Sequence, residues 1–353
     1  MFIAIIYMIL ALSSFYIDEV KGNYSKNLKI NLKNKTISVI VPVRNEEKRL
    51  ATVLESLASQ NYSKDFFEVI IVDDRSTDST YEIAKKFQAN NSNFKILKIE
   101  KEHSFLSGKQ NALHSAILSA KSEIIFNTDA GCTMKNDFLF ELNKLFSEDV
   151  NVVLCRPICI LKNRSFLVKF QGMTDKLIAD GFMIPAMLNS PIAGRGAGFA
   201  FLRECYLSSG GYPKVGYSLI EDEALIRHFA RNKFKIVAGN NLVVRKEPKD
   251  SWHEMLIQHR RWARGSLETF NPLFCANSFY YLSSIFFIYK MFFDFKAYIP
   301  VKMLAEYIFI RNINRSDERI LSLKEEILLS FLSPFYYITV FTYALIPTQI
   351  KWK

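Results

Sequence analysis

Five short stretches of this chain combine residue types that can do chemistry. In SLIEDEAL, 218–225, three carboxylates stand together as Glu221, Asp222 and Glu223. Acidic residues at that density either open a helix, where the dipole favours them, or include a general base. Asp222 is the best placed of the three for a base. In VDDRSTDST, 72–80, Asp73 and Asp74 are adjacent. Neighbouring carboxylates repel unless a ribose, a base N–H or a metal answers them. Asp78, beside Ser76 and Thr77, reads instead as a helix cap. In NTDAGC, 127–132, Asp129 closes an apolar run, where an unpaired charge is costly. A divalent ion bridging a diphosphate is its natural partner. In VPVRNEE, 41–47, a strand turns into a helix, and backbone there can cradle a base or ribose. In QHRRWARG, 258–265, Gln258, Arg261 and Trp262 share one helix face. Arg261 suits a phosphate and Trp262 a sugar ring; the same residues also suit a basic, aromatic belt beside a membrane.

These residues need a scaffold that brings them together, and the patterning between them supplies one. Thr36–Val43 and Glu68–Val72 are β-branched apolar runs, the mark of buried strands. Phe94–Ile99 and Glu123–Asn127 read as two more. Helical spacing predicts helices over 45–59, 79–87 and 108–120, the first with Leu50, Val53, Leu54 and Leu57 inward. This alternation predicts an α/β fold, a mainly parallel sheet with helices on both faces. Ligands then bind beyond the carboxyl ends of the strands. Those ends carry Arg44-Asn45-Glu46, Asp73-Asp74 and Asp129. No GxGxxG or Walker A pattern occurs, so a nicotinamide site and a P-loop are unsupported.

The ends of the chain differ from its middle. Of 353 residues 14% are aromatic, and they crowd at both termini. Phe2–Ile17 is free of charge and is followed by Lys21, Lys26, Lys29, Lys33 and Lys35. An uncleaved anchor over 1–20 is expected, with the N-terminus outside and the main domain cytosolic. A catalytic domain over 36–268 follows. A C-terminal membrane region over 272–350, with two or three helices, completes the division; its candidates are 272–289, 297–310 and 327–350. Lys302 and Glu306, four apart, are expected to pair within the bundle. The net charge of +11 fits an anionic membrane surface or phosphorylated substrates. No nucleic-acid module is present, so no nucleic-acid partner is expected. The five cysteines fit neither zinc nor a disulfide framework and read as buried, reduced thiols.

Taken in order, the five stretches resemble the membrane-bound family 2 glycosyltransferases, whose fold is GT-A, a Rossmann-like single domain. The ordered set ending in Gln-x-x-Arg-Trp is the specific part, shared with cellulose synthase, hyaluronan synthase and ceramide glucosyltransferase. The resemblance implies an inverting transfer of a sugar from a nucleotide-sugar, UDP-linked, to a lipid or glycan hydroxyl at the cell membrane. It implies that Pro42, Arg44 and Glu46 hold the nucleotide, with Asp73 or Asp74 at uracil and ribose. Lys109, in GKQNAL, matches a donor-pocket lysine. Asp129 matches the first aspartate of the DxD motif and would hold Mg²⁺ or Mn²⁺ with the sugar diphosphate. Asp222 matches the catalytic base, with Glu221 beside it. Gln258, Arg261 and Trp262 match the acceptor and diphosphate motif.

Two departures stand out. Gly131 replaces the second DxD aspartate, as in the DSG-type sequence of ceramide glucosyltransferases, which weakens the metal site and favours a lipid acceptor. Ile220 stands where processive synthases carry Thr, which weakens a polymerase reading. The rival readings are a metal-dependent nucleotidyltransferase, which would not need Gln258, Arg261 and Trp262, and an inactive membrane scaffold of the same fold.

Overall fold

A computed structural model describes residues 14–26, 28–101, 103–267, 272–293, 298–315 and 319–346. The anchor expected over 1–20 lies outside these residues except for 14–20, which begin a short helix, α1 (Ile17–Lys26). The chain divides into two compact units. One comprises Ser25–Ile160 and Ala179–Glu247; the other holds Leu161–Ile178, Pro248–Ile350 and the residues up to Tyr24.

The first unit is built on one eight-stranded sheet. β1 (Ile37–Val43), α2 (Leu50–Ala58), β2 (Phe67–Asp73), α3 (Thr80–Asn90), β3 (Phe94–Lys98), α4 (Gly108–Ser119) and β4 (Ile124–Asn127) alternate along the chain. Every residue of β1, β2 and β4 is buried, as their unbroken apolar runs demand. The expected helix over 45–59 begins only at Leu50, because Asn45 takes a left-handed conformation (φ 54°) that no helix continues through.

The second half of the sheet holds its antiparallel strands. It comprises β5 (Cys132–Thr133), β6 (Val152–Cys159), β7 (Phe199–Leu202) and β8 (Ile236–Lys246), with α5 (Phe138–Leu145) and α6 (Phe166–Met187) between them. After β7 come α7 (Arg203–Ser208), α8 (Gly211–Val215) and α9 (Glu221–Arg231). The strand order is β3-β2-β1-β4-β7-β6-β8-β5. β7 runs antiparallel to both β4 and β6, and β5 runs antiparallel to β8. The sheet is mixed but mainly parallel, as expected: six strands run one way, and only β5 and β7 run against them. β7 is four residues long, FAFL, and so short a run carries no direction in its sequence.

The order fixes where a ligand can sit. From β1 the chain steps outward to β2 and β3, then returns to the other side of β1 as β4. That reversal opens a crevice at the carboxyl ends of β1 and β4, the usual binding place in such sheets. In register, Val43 lies beside Asp73, and Ile40 beside Asn127.

The second unit is helical: α10 (Trp252–Leu267), α11 (Pro272–Phe293), α12 (Tyr298–Arg315) and α13 (Leu323–Leu345). Lys302 and Glu306 are buried on α12 and form the expected ion pair. Glu306 also accepts hydrogen bonds from Tyr280 (3.0 Å) and Ser333 (2.6 Å). Among the described residues one helix, α13, is long and apolar enough to cross a membrane by length and composition. Transmembrane helices at both ends, as expected from sequence, are thus represented by α13 alone within these residues.

Candidate active site

At the crevice between β1 and β4, Pro42, Lys109, Asp129, Glu221 and Asp222 line one cleft, together with Asn127, Gly196 and Phe199. Five residues singled out from sequence therefore converge. The Lys109 Nζ lies 2.8 Å from Asp129 Oδ1 and 2.8 Å from Glu221 Oε1. Burial works against its charge, but Asp129, Glu221 and Asp222 overcome that and hold its pKa above the ordinary lysine value.

Lys109 owes its position to a local cap and a long-range clamp. The Ser107 hydroxyl accepts from the Gln110 N–H (3.3 Å), and the Gln110 side chain accepts from the Ser107 N–H (3.0 Å). This capping box starts α4 at Gly108. The Gln110 side chain also accepts from the Ser218 N–H (3.1 Å) and donates to the Gly216 carbonyl (2.8 Å). The start of α4 is thereby tied to the loop that leads into α9, and Lys109 meets Glu221. Gln110 was not foreseen as a site residue, although Ser107-x-x-Gln110 is a legible capping signal.

Asp222 sits in the first turn of α9 with Glu221 and Glu223. All three are buried. The helix-start reading of this acidic run holds, and Glu221 and Asp222 also line the cleft. One Asp222 oxygen accepts from the Glu223 N–H (2.7 Å), and the other accepts from the Gly196 N–H. Glu223 turns aside to Arg227 (2.6 Å). Burial, and then the charge of Glu221, raise the Asp222 pKa above the ordinary carboxylate value, against the pull of Lys109 and Arg195. Gly196 is a second unforeseen member. A Cβ there would stand 3.1 Å from Asp222 Oδ2 and 3.3 Å from Lys109 Nζ, so any side chain would crowd the carboxylate and the ammonium.

Asp73 ends β2, and Arg44, Glu46 and Asp74 lie in the two neighbouring loops after β1 and β2. Asp74 is fully buried and faces Arg44 (3.5 Å) and Arg75 (2.9 Å), so its charge is answered within the protein. Asp73 accepts from the Ser76 N–H (3.3 Å). The loops cross-link further: the Thr77 N–H donates to Asn45 (2.8 Å), and the Glu46 N–H donates to Thr80 (2.8 Å). Asp78, expected as the cap, lies one residue before Ser79, which holds the N-cap, and accepts from the Thr80 N–H at 3.0 Å. The result is a preformed rim beside the cleft.

The fit of a divalent ion rests on few groups. Asp129 offers an oxygen, and its side chain is 39% exposed. Gly131 offers none. Its φ of +77° is left-handed, and a Cβ there would lie 3.1 Å from Arg49 Cδ. Among the described residues no three His, Cys, Asp or Glu side chains surround a common point. An ion held by Asp129 would take its other ligands from donor phosphate and water, a donor set hard cations accept.

Gln258, Arg261 and Trp262 belong to the helical unit. All three are half-buried on α10. Trp262 stacks on His259 (4.9 Å between ring centroids), and His259 bonds to the Tyr336 hydroxyl at 2.5 Å. Two neighbours that drew no attention in the sequence anchor this helix. Arg260 donates to the carbonyls of Tyr343 (3.0 Å) and Ile346 (3.1 Å), and Arg264 donates to that of Ala344 (3.3 Å). They cap the carboxyl end of α13, where cations are favoured.

The cysteines are free thiols. Burial pushes Cys132 up to about 12 and Cys205 up to about 11. Cys275 is exposed, contrary to the expectation that all five are buried.

Comparison with known proteins agrees with this geometry. Residues 38–209 match the family described as Glycosyl transferase family 2. The beta-monoglucosyldiacylglycerol synthase of a Nostoc species is 26% identical over 236 residues, 66% of this chain and 49% of that protein. The probable glycosyltransferase YdaM of Bacillus subtilis is 25% identical over 235 residues, 65% of this chain and 55% of that one. The chain thus spans about half the length of these curated relatives. Among solved structures, the mannosyltransferase PcManGT from Pyrobaculum calidifontis, in complex with GDP-Man and Mn²⁺, superposes with a TM-score of 0.58. That likeness covers 97% of this chain and 96% of the other at 18% identity, and it establishes the shared GT-A fold. A family match over 38–209, relatives named as glycosyltransferases and a shared GT-A architecture agree: the sheet-bearing part of the chain is similar to glycosyl transferase family 2.

Proposed function

We propose that this enzyme moves a sugar from a nucleotide-sugar, UDP-linked, to a hydroxyl of a lipid-linked or glycan acceptor, with inversion, at the cytosolic face of the cell membrane. The observation that carries this reading is the Lys109 ammonium held between Asp129 and Glu221, with Asp222 beside it. One cleft thereby offers a cation for a leaving diphosphate and a carboxylate for an acceptor proton.

Inverting transfer is a single displacement and needs one base and a stabilised leaving group. Asp222 takes the proton of the acceptor hydroxyl as that oxygen attacks the anomeric carbon. Its raised pKa makes it the stronger base, and two backbone N–H donors hold its carboxylate in place. As the sugar–phosphate bond breaks, Lys109 answers the charge that develops on the nucleoside diphosphate. Asp129 would hold a divalent ion whose chemistry is to neutralise that same charge. Pro42, Arg44, Glu46, Asp73 and Asp74 are assigned to the nucleotide. Gln258, Arg261 and Trp262 are assigned to acceptor and diphosphate on the strength of the Gln-x-x-Arg-Trp resemblance.

The proposed division is an anchor over 1–20, a catalytic domain over 36–268 and a membrane region over 272–350. The apolar length of α13 and the lysines after residue 20 support it. A lipid acceptor is favoured by Gly131 and by the Nostoc relative, named for a diacylglycerol glycolipid. The test is donor turnover by membrane-reconstituted protein with UDP-sugars, with and without Mn²⁺, for wild type and Asp222→Asn. Transfer by wild type and none by the variant is expected. Equal transfer by both sinks the assignment.

A further inference from the structure

Asn127 is the last residue of β4 and 2% exposed, and its side chain lines the cleft. Neither its amide nitrogen nor its amide oxygen has a hydrogen-bond partner. That is an expensive arrangement. A buried amide left unpaired loses its water partners and gains nothing in return, and such groups in folded proteins call for an explanation. Nothing in the packing demands asparagine. Pro42, Leu113 and Phe199 line the same cleft, and an apolar side chain of this size would sit among them without that cost. Both polar atoms of the amide are therefore available to an occupant of the cleft.

The chemistry of the occupant follows from what the amide offers. Lys109 is the cation of the cleft, and Asp129, Glu221 and Asp222 are its anions. Asn127 is neutral and both donates and accepts. It matches a pair of neighbouring hydroxyls, one donating to Oδ1 and the other accepting from Nδ2. Phe199 and Leu113 offer apolar surface to the C–H face of a ring beside them. A pyranose presents both features at once. We propose that Asn127 is a specificity residue that reads two adjacent ring hydroxyls of the transferred sugar. This rests on the glycosyl-transfer reading above, in which that sugar lies between the diphosphate near Lys109 and the base Asp222.

The experiment uses the full chain in nanodiscs, as wild type, Asn127→Leu and Asn127→Ala. UDP-glucose, UDP-galactose, UDP-N-acetylglucosamine and GDP-mannose are screened first for the donor that wild type turns over. Its 2-, 3- and 4-deoxy analogues and the free nucleoside diphosphate are then compared. Asn127→Leu is expected to melt at or above the wild-type temperature, because it removes an unpaired polar group. It should bind the free diphosphate within about twofold of wild type, yet lose at least about tenfold in kcat/KM for the parent donor. A deoxy analogue that costs wild type a similar factor should cost the variant nothing. Asn127→Ala should show the same pattern even if its cavity lowers the melting temperature. Variants that keep wild-type kcat/KM and wild-type sensitivity to every deoxy donor overturn the assignment, and so does a loss confined to acceptor KM. Wild-type protein that binds no sugar nucleotide at all sinks both readings; a binding wild type with indifferent variants sinks this one alone.

Discussion

The ammonium of Lys109, in the first turn of α4, lies 2.8 Å from a carboxylate oxygen of Glu221, in the first turn of α9. Two helix starts thus meet across the cleft, one bringing the cation and the other the anions. The neighbour of Glu221 is Asp222, so whatever disturbs Lys109 also changes the proposed base.

Asp222→Asn is expected to abolish transfer while donor binding survives, because the amide keeps the shape but cannot take a proton. Isothermal titration with the nucleotide-sugar and a turnover assay separate the two effects. Wild-type turnover in the variant removes Asp222 from the mechanism.

The pH dependence follows from the raised Asp222 pKa. The acid limb of kcat/KM should fall above the pH range of an ordinary carboxylate, since the base must be ionised. For stability the sign runs the other way. A carboxyl whose folded pKa is raised favours the fold when protonated, and that contribution fades as pH rises through the folded pKa. Asp222→Asn, which cannot titrate, should therefore lose the part of the melting profile that wild type gains as pH falls from neutral toward the unfolded carboxylate value of 3.8. Melting curves across that range provide the check.

Lys109→Met leaves three carboxylates facing one another without their cation. A loss of about 2–3 kcal/mol is expected, below the range for fully buried pairs because Asp129 is 39% exposed. Lys109 also pulls the Asp222 pKa down, so its removal should move the acid limb of residual activity upward. Chemical denaturation measures the first effect and a pH–rate profile the second.

Gly131→Asp restores the letters of the DxD motif but not its geometry. The left-handed φ of +77° and the Arg49 side chain over it oppose any side chain at this position. A destabilisation of about 1–2 kcal/mol is expected, with no gain in Mn²⁺ affinity. A variant activated at lower Mn²⁺ than wild type would contradict this.

Adjacent arginines on α10 should behave differently. Arg260→Ala removes two hydrogen bonds to the end of α13 and should lower stability by about 1–3 kcal/mol. Arg261→Ala should cost more in turnover than in melting temperature. Unchanged kinetics in Arg261→Ala would return that residue to a membrane-belt role.

Much of this protein is written locally in its chain. β1, β2 and β4 announce themselves as β-branched apolar runs, because a buried strand needs apolar residues on both faces whatever surrounds it. The five motifs and their order carry the resemblance to the family, and Ser107-x-x-Gln110 marks a helix start. Tertiary structure decided the rest, because it depends on contacts between residues distant in the chain. The antiparallel course of β7 is set by its neighbours β4 and β6, not by its four residues. Asp74 meets Arg44 and Arg75 only once two loops pack. Lys109 becomes a bridge only because Gln110 ties two segments together. Gly196 closes on Asp222, and Asn127 is left without a partner, through distances that no spacing in the sequence encodes.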